Sequence, residues 1–315
     1  MEGYRAAAQA VLEAVNQVIL GKEAFTVQIL EALLADGHVL LEDIPGVGKT
    51  TLALAFSKLM GLDWKRVQFT PDVLPSDLSG FSIYRRDQEK FVYQPGAVFC
   101  NLLLADEINR TSPKTQSALL ETMEERQVTV DGVTREVPSP FFVIATQNPL
   151  GAAGTQPLPM AQMDRFMVCL AMGYPDFENE VQMARESGDG RRTDHLRPLM
   201  NAKALLEMQK EVSQVFVHDA VYRYIVRLIS ATRQNPSFET GVSPRGTIAL
   251  VKMAQASAWL KGNDFVTPSD VAARFGSVAV HRVQLSGKAR MDGVSKEAVL
   301  GQILKDTERP VPKRK

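Results

Sequence analysis

The segment His38-Val-Leu-Leu-Glu-Asp-Ile-Pro-Gly-Val-Gly-Lys-Thr-Thr51 decides how this chain reads. Val39 to Leu41 form an apolar run of the length of a buried strand. Pro45, Gly46 and Gly48 then break it, and Lys49, Thr50 and Thr51 open a helical stretch from Leu52 to Met60. Strand, glycine turn and helix in that order make a phosphate-binding loop. Glycines let backbone N–H groups turn inward, and the helix N-terminus adds partial positive charge. A lysine at this place reaches the terminal phosphates, and the Thr50 hydroxyl ligates magnesium. The candidate nucleotide-binding residues are Pro45, Gly46, Val47, Gly48, Lys49, Thr50 and Thr51. The usual pattern is G-x-x-x-x-G-K-[ST], and here Asp43 stands at its first position.

Asn101 to Glu107 read as a second buried strand, tipped by Asp106 and Glu107. At such a tip Asp106 can hold magnesium through water, and Glu107 can polarise an attacking water as general base. The separation of Lys49 from Asp106 leaves room for an intervening strand and helices, as a doubly wound sheet requires. Asn148 follows the next apolar strand, Phe141 to Thr146, and so should face the same crevice beyond the strand ends. Its amide can orient the water, with an Asn-Pro turn as the competing reading. Arg165 precedes a last apolar strand, Met167 to Met172, where a local Asp-Arg ion pair is the plainer alternative. Arg245 lies in the first turn of a helix, where a cation opposes the macrodipole. An anion such as phosphate would hold it there; otherwise it is a surface arginine.

Around these motifs the pattern alternates. Ala8 to Ile19 and Phe25 to Leu33 carry helical faces, Lys65 to Thr70 reads as a strand, and Pro71 to Gly80 as a loop. Phe81 to Tyr93 suggest a hairpin-like insertion, Ser112-Pro113 a capped helix start, and Asp131-Gly132 a hairpin turn within residues 127–137. Buried strands alternating with helices predict a three-layer α/β parallel sheet over residues 1–185. The β signal ends after Tyr174-Pro175. Residues 186–198 read as a polar linker, and residues 199–315 as an all-helical domain.

Acidic and basic residues balance at 36 each, so no global field points to nucleic acid or an anionic membrane. Only the tail, Arg309 to Lys315, is locally basic, as solvated termini often are. Cys100 and Cys169 sit in apolar runs and read as buried, reduced thiols, not as a disulfide or metal site. The first residues lack a signal-peptide pattern, and no apolar run reaches the roughly 20 residues of a membrane span. A cytoplasmic location is the expectation.

Together these segments resemble the MoxR family of AAA+ ATPases. The resemblance rests on Pro45 to Thr50, on Asp106-Glu-Ile-Asn-Arg110, on Thr146-Gln-Asn-Pro149, on Leu158 to Phe166 and on Gly241-Val-Ser-Pro-Arg245. It implies a P-loop AAA+ core followed by a smaller helical lid, and ATP hydrolysis with Mg2+ in a ring, most commonly a hexamer. By that resemblance Lys49 and Thr50 serve phosphate and metal, Asp106 is the second metal carboxylate, and Glu107 is the catalytic base. Asn148 is similar to the first sensor and Arg245 to the second, acting in cis or in trans. Arg165 is similar to an arginine finger that reaches a neighbour's ATP. The family also implies a chaperone-like role on a protein client, beside a partner with a von Willebrand factor type A domain. Three other readings stand against it. They are a P-loop small-molecule kinase, a nucleotide switch without turnover, and an AAA+ motor on DNA.

Overall fold

A computed structural model describes residues 2–43, 46–148, 158–185 and 192–310. Pro45 and residues 186–191 of the expected linker therefore lie outside the described residues. Helices α1 (Glu2–Val18) and α2 (Glu23–Leu34) lead into strand β1 (Val39–Glu42) and helix α3 (Lys49–Leu59). Then come β2 (Trp64–Gln68), α4 (Pro75–Ser79), a hairpin of β3 (Phe81–Arg85) and β4 (Lys90–Gln94), and β5 (Leu102–Asp106). Helix α5 (Pro113–Glu125) precedes a second hairpin, β6 (Gln127–Val130) and β7 (Val133–Glu136), and then β8 (Phe142–Gln147). The α/β part closes with α6 (Met160–Met163), β9 (Val168–Leu170) and α7 (Phe177–Arg185). Strands β2, β5, β8, β1 and β9 form one parallel sheet in that order.

The period-2 alternation of strand side chains sends two sets of residues to two cores. Val39, Leu41, Leu102, Leu104, Phe142 and Ile144 pack against α1, α2 and α3. Leu40, Leu103, Ala105, Val143 and Ala145 face the other way, onto Leu119, Leu120 and Met123 of α5. Both faces are covered, so the strands read as unbroken apolar runs, as parallel sheets do. The predicted three-layer α/β core is present.

The C-terminal part comprises α8 (Ala202–Ser213), α9 (Asp219–Gln234), β10 (Phe238–Thr240), α10 (Pro244–Leu260), α11 (Pro268–Ala279), β11 (Gln284–Leu285), α12 (Gly287–Met291) and α13 (Lys296–Asp306). Ser243 and Thr267 cap α10 and α11, each followed by proline at the first helical position. The all-helical expectation needs one correction: β10 and β11 pair antiparallel. Strands of three and two residues are too short for alternation to register in sequence. The expected loop from Pro71 to Gly80 likewise contains α4, held by the Asp77 carboxylate accepting the Leu74 N–H at 2.8 Å and by buried Leu78. Of the expected linker, Arg192–His195 forms a short 3-10 turn whose Thr193 carbonyl accepts from Lys58 of α3 at 3.0 Å.

Cys100 and Cys169 are buried and free, and burial pushes the Cys100 thiol up to about 12. Among the described residues no helix is long and apolar enough to cross a membrane.

Candidate active site

The phosphate loop leaves the C-terminal end of β1, and its Gly46 and Gly48 have φ of 89° and 96°. Both values fall in the left-handed region that side chains disfavour, which is why glycine stands there. A Cβ added at either glycine would meet nothing within 4 Å, so the loop surface is open for a ligand's approach. Lys49, Thr50 and Thr51 form the first turn of α3, and the Lys49 ammonium donates to the Asp43 carbonyl at 3.2 Å.

Parallel pairing brings two further strand ends beside the loop. Asp106, at the end of β5, is buried, and its carboxylate accepts from the Thr146 hydroxyl at 2.7 Å and from Arg66 at 2.7 Å. Glu107 has a left-handed backbone, φ 57° and ψ 49°, a costly conformation for a residue with a side chain. Its N–H donates to the same Thr146 hydroxyl at 2.8 Å. Gln68 at 2.9 Å and Arg110 at 2.8 Å both donate to the Glu107 carboxylate. The turn therefore aims the glutamate along the strand edge instead of out to solvent. Asn148 follows the end of β8 in the same row, and its carbonyl accepts from Asn109 at 3.3 Å. Lys49, Asp106, Glu107 and Asn148 thus share the C-terminal edge of one sheet.

Arg165 and Arg245 are elsewhere. Arg165 donates to the Glu124 carboxylate at 2.8 Å, and Arg245 pairs with the other oxygen of the same carboxylate. Their cavity is also lined by Asp36 and His38, which precede β1, so it opens at the N-terminal edge of the sheet. The four-residue β1 alone separates the two edges by about 13 Å. The anion that balances Arg245 in the first turn of α10 is Glu124. Asp164 is paired with Arg282 at 2.7 Å and not with Arg165, and it accepts from Ser243, the cap of α10, at 2.8 Å. Core and helical part are riveted at this point, with the Arg282 guanidinium also donating to the Met167 carbonyl at 3.0 Å.

His38 ties this edge together. Its Nδ1 accepts from the Val143 N–H at 3.0 Å, so Nε2 carries the proton it donates to the Met123 carbonyl at 3.1 Å. Burial, with Arg126 nearby, lowers the imidazole to about 3, and burial holds His281 well below the usual range too. Between that value and 6.5 the unfolded chain binds a proton that the folded one refuses. Each such histidine therefore removes stability as pH falls below 6.5, at about 1.4 kcal/mol per pH unit. Urea midpoints should drop from pH 7 to pH 5, and less steeply in His38→Gln. An equal slope in that variant would show that His38 takes no part.

No local signal marked Glu124, Gln68 or Arg66 as partners of the site, since each reaches its residue only through tertiary packing, whereas Arg110 meets Glu107 within one turn, three residues on. Pro45 lies outside the described residues, and Val47 packs partly buried against the core.

Comparison with known proteins identifies both parts of the chain. Residues 38–168 match the ATPase family associated with various cellular activities (AAA), and residues 230–303 match the AAA lid domain. An uncharacterised Bacillus subtilis protein, YeaC, is 48% identical over 300 residues, covering 95% of this chain and 94% of its own length. Chaperone MoxR1 of Mycobacterium tuberculosis is 39% identical over 94% of this chain and 80% of its own. Protein MoxR of Methylorubrum extorquens is 31% identical, over 90% and 89%. The crystal structure of a candidate ATPase from Cytophaga hutchinsonii superposes with a TM-score of 0.90 at 36% identity, covering 98% of this chain and 96% of that one. The chain belongs to the MoxR family of AAA+ ATPases, and its reaction is the hydrolysis of ATP.

Proposed function

We propose that this chain is a ring-forming ATPase whose site is shared between neighbouring subunits. The observation that carries the reading is the placement of its parts at two ends of one sheet. The phosphate loop, Asp106, Glu107 and Asn148 line the C-terminal edge, while Arg165 and Arg245 line the N-terminal edge. Neither guanidinium lines the cavity that the loop lines. An acceptor at one end and a donor at the other make a head-to-tail interface, and head-to-tail contacts that close give rings. Both arginines then act in trans, and a hexamer is the ring size the family resemblance implies.

In this reading Gly46, Gly48 and Lys49 cradle the phosphates, while Pro45, Val47 and Thr51 shape the loop. Glu107 takes the proton of the attacking water, and Asn148 orients that water. Thr50 and Asp106 are the residues that would hold magnesium. Among the described residues no three or more His, Cys, Asp or Glu side chains converge, so the fit is to an ion held mainly by phosphate, as Mg2+ commonly is. When bound, Mg2+ neutralises charge that develops on the phosphates. A cavity of about 260 Å3 beside Gly48 is lined by Val18, Ile19 and Leu20 on one side and Met172 and Tyr174 on the other. That apolar slot suits the adenine.

Beyond hydrolysis, the chain would work as MoxR1 does by its name, as a chaperone. Ring motions would act on a protein client, together with a von Willebrand factor type A domain partner. A DNA motor is disfavoured by the β6–β7 hairpin. Its one basic residue, Arg135, stacks on the Tyr93 ring at 3.9 Å and caps the turn through the Val130 and Val133 carbonyls. Lys49→Ala tests the foundation. Losing its charge-assisted contacts should weaken ATP binding about 10- to 100-fold. Unchanged affinity by titration calorimetry would remove the phosphate-loop assignment.

A further inference from the structure

Asp43 occupies the place where the phosphate-loop pattern has glycine, and it is buried. Its contacts run to three parts of the site. The backbone N–H donates to the Gln147 carbonyl at 3.2 Å, next to Asn148, and the carbonyl accepts from Lys49 at 3.2 Å. Any residue could make those two bonds. The carboxylate alone makes the third set. It accepts the Met172 N–H at 2.5 Å and the Gly173 N–H at 3.1 Å.

Those two amides belong to the segment after β9, and that segment walls the apolar slot beside the loop. From the other side, the Lys22 ammonium donates to the Tyr174 carbonyl at 2.7 Å. The wall is thus pinned at both ends, by Asp43 from the phosphate loop and by Lys22 from the α1–α2 turn. Glycine at position 43 would leave both amides without this acceptor, and buried N–H groups need one. The charge also strengthens the bonds, since a carboxylate accepting from backbone N–H makes a stronger bond than a neutral acceptor does.

We infer that Asp43 is a positioning residue for the nucleobase: its carboxylate holds Met172 and Gly173 so that the slot is formed when the triphosphate is seated. The inference rests on the ATP-site reading above. It assigns Asp43 to the base end of the ligand and leaves the phosphate end to Gly48 and Lys49.

Affinities for MgATP and for magnesium tripolyphosphate, measured by calorimetry on the full chain, separate the two ends. Asp43→Gly restores the usual pattern yet should weaken ATP binding about tenfold, the size expected for one or two lost hydrogen bonds. Tripolyphosphate affinity should stay within about twofold of the parent, because the phosphate contacts remain. The ratio of the two affinities is the readout, since partial unfolding lowers both alike. Asp43→Asn keeps one acceptor oxygen and should lose only about threefold of the ATP preference. It carries the test by itself if the glycine variant does not fold. An unchanged ratio in either variant, or a parallel loss of both ligands, overturns the assignment. Lys49→Ala, measured alongside, should weaken both ligands. If it weakens neither, the phosphate-loop reading fails, a result distinct from any change in the Asp43 ratio.

Discussion

Arg165→Ala is expected to lower steady-state ATP turnover by about 10³- to 10⁵-fold, the range an arginine supplied to a transferring phosphoryl group commands. ATP affinity of the isolated subunit should stay near the parent value, because Arg165 lies at the sheet edge away from the loop. Mixing settles whose ATP it serves. Arg165→Ala subunits keep a working loop but offer no arginine, and Lys49→Ala subunits do the reverse. Mixed rings should recover part of the activity, at junctions where an intact loop meets an intact arginine. Absence of recovery, with rings intact by light scattering, would place Arg165 on its own subunit's nucleotide. Arg245 shares the Glu124 carboxylate with Arg165 and should complement in the same way.

Glu107→Gln should lower turnover by about 10²- to 10⁴-fold, the usual contribution of a general base. ATP binding should persist, since the phosphate contacts belong to the loop. The variant keeps the size of the side chain, so the left-handed turn at Glu107 and the Thr146 bond to its N–H should also persist. A stable ATP-bound ring is the expected product, seen as retained ATP after single-turnover mixing. Near-normal turnover would remove Glu107 as the base and turn attention to another acceptor on that edge.

Much of this site is legible in the sequence alone. The loop, the Asp106-Glu107 pair and Asn148 each sit at the end of an apolar run. Parallel strands in a doubly wound sheet bring their C-terminal ends to one crevice. Local sequence therefore carried enough to place them together. The arginines were different. Arg165 and Arg245 are 80 positions apart, on either side of the core–lid boundary; Arg165 precedes an apolar strand and so belongs at the N-terminal edge, but nothing near Arg245 says that it joins Arg165 there. Their shared partner Glu124 is an unremarkable acid in α5 by sequence. It becomes a site residue because α5 runs antiparallel to the strands and delivers its C-terminus to the edge opposite the loop.

Asp43 shows the same division within one residue. By sequence it was a departure from a pattern, tolerable because it precedes the residues that face phosphate. In the fold its carboxylate meets the N–H groups of Met172 and Gly173, about 130 residues further along the chain. Periodicity, glycine turns and helix caps are local, so the sequence by itself determined the layered core, the phosphate loop and the row of strand-end residues. Which residues meet across the sheet edges is decided by long-range packing. Only the tertiary structure could bring Arg245 beside Arg165 on the carboxylate of Glu124, and Asp43 against the wall of the base slot.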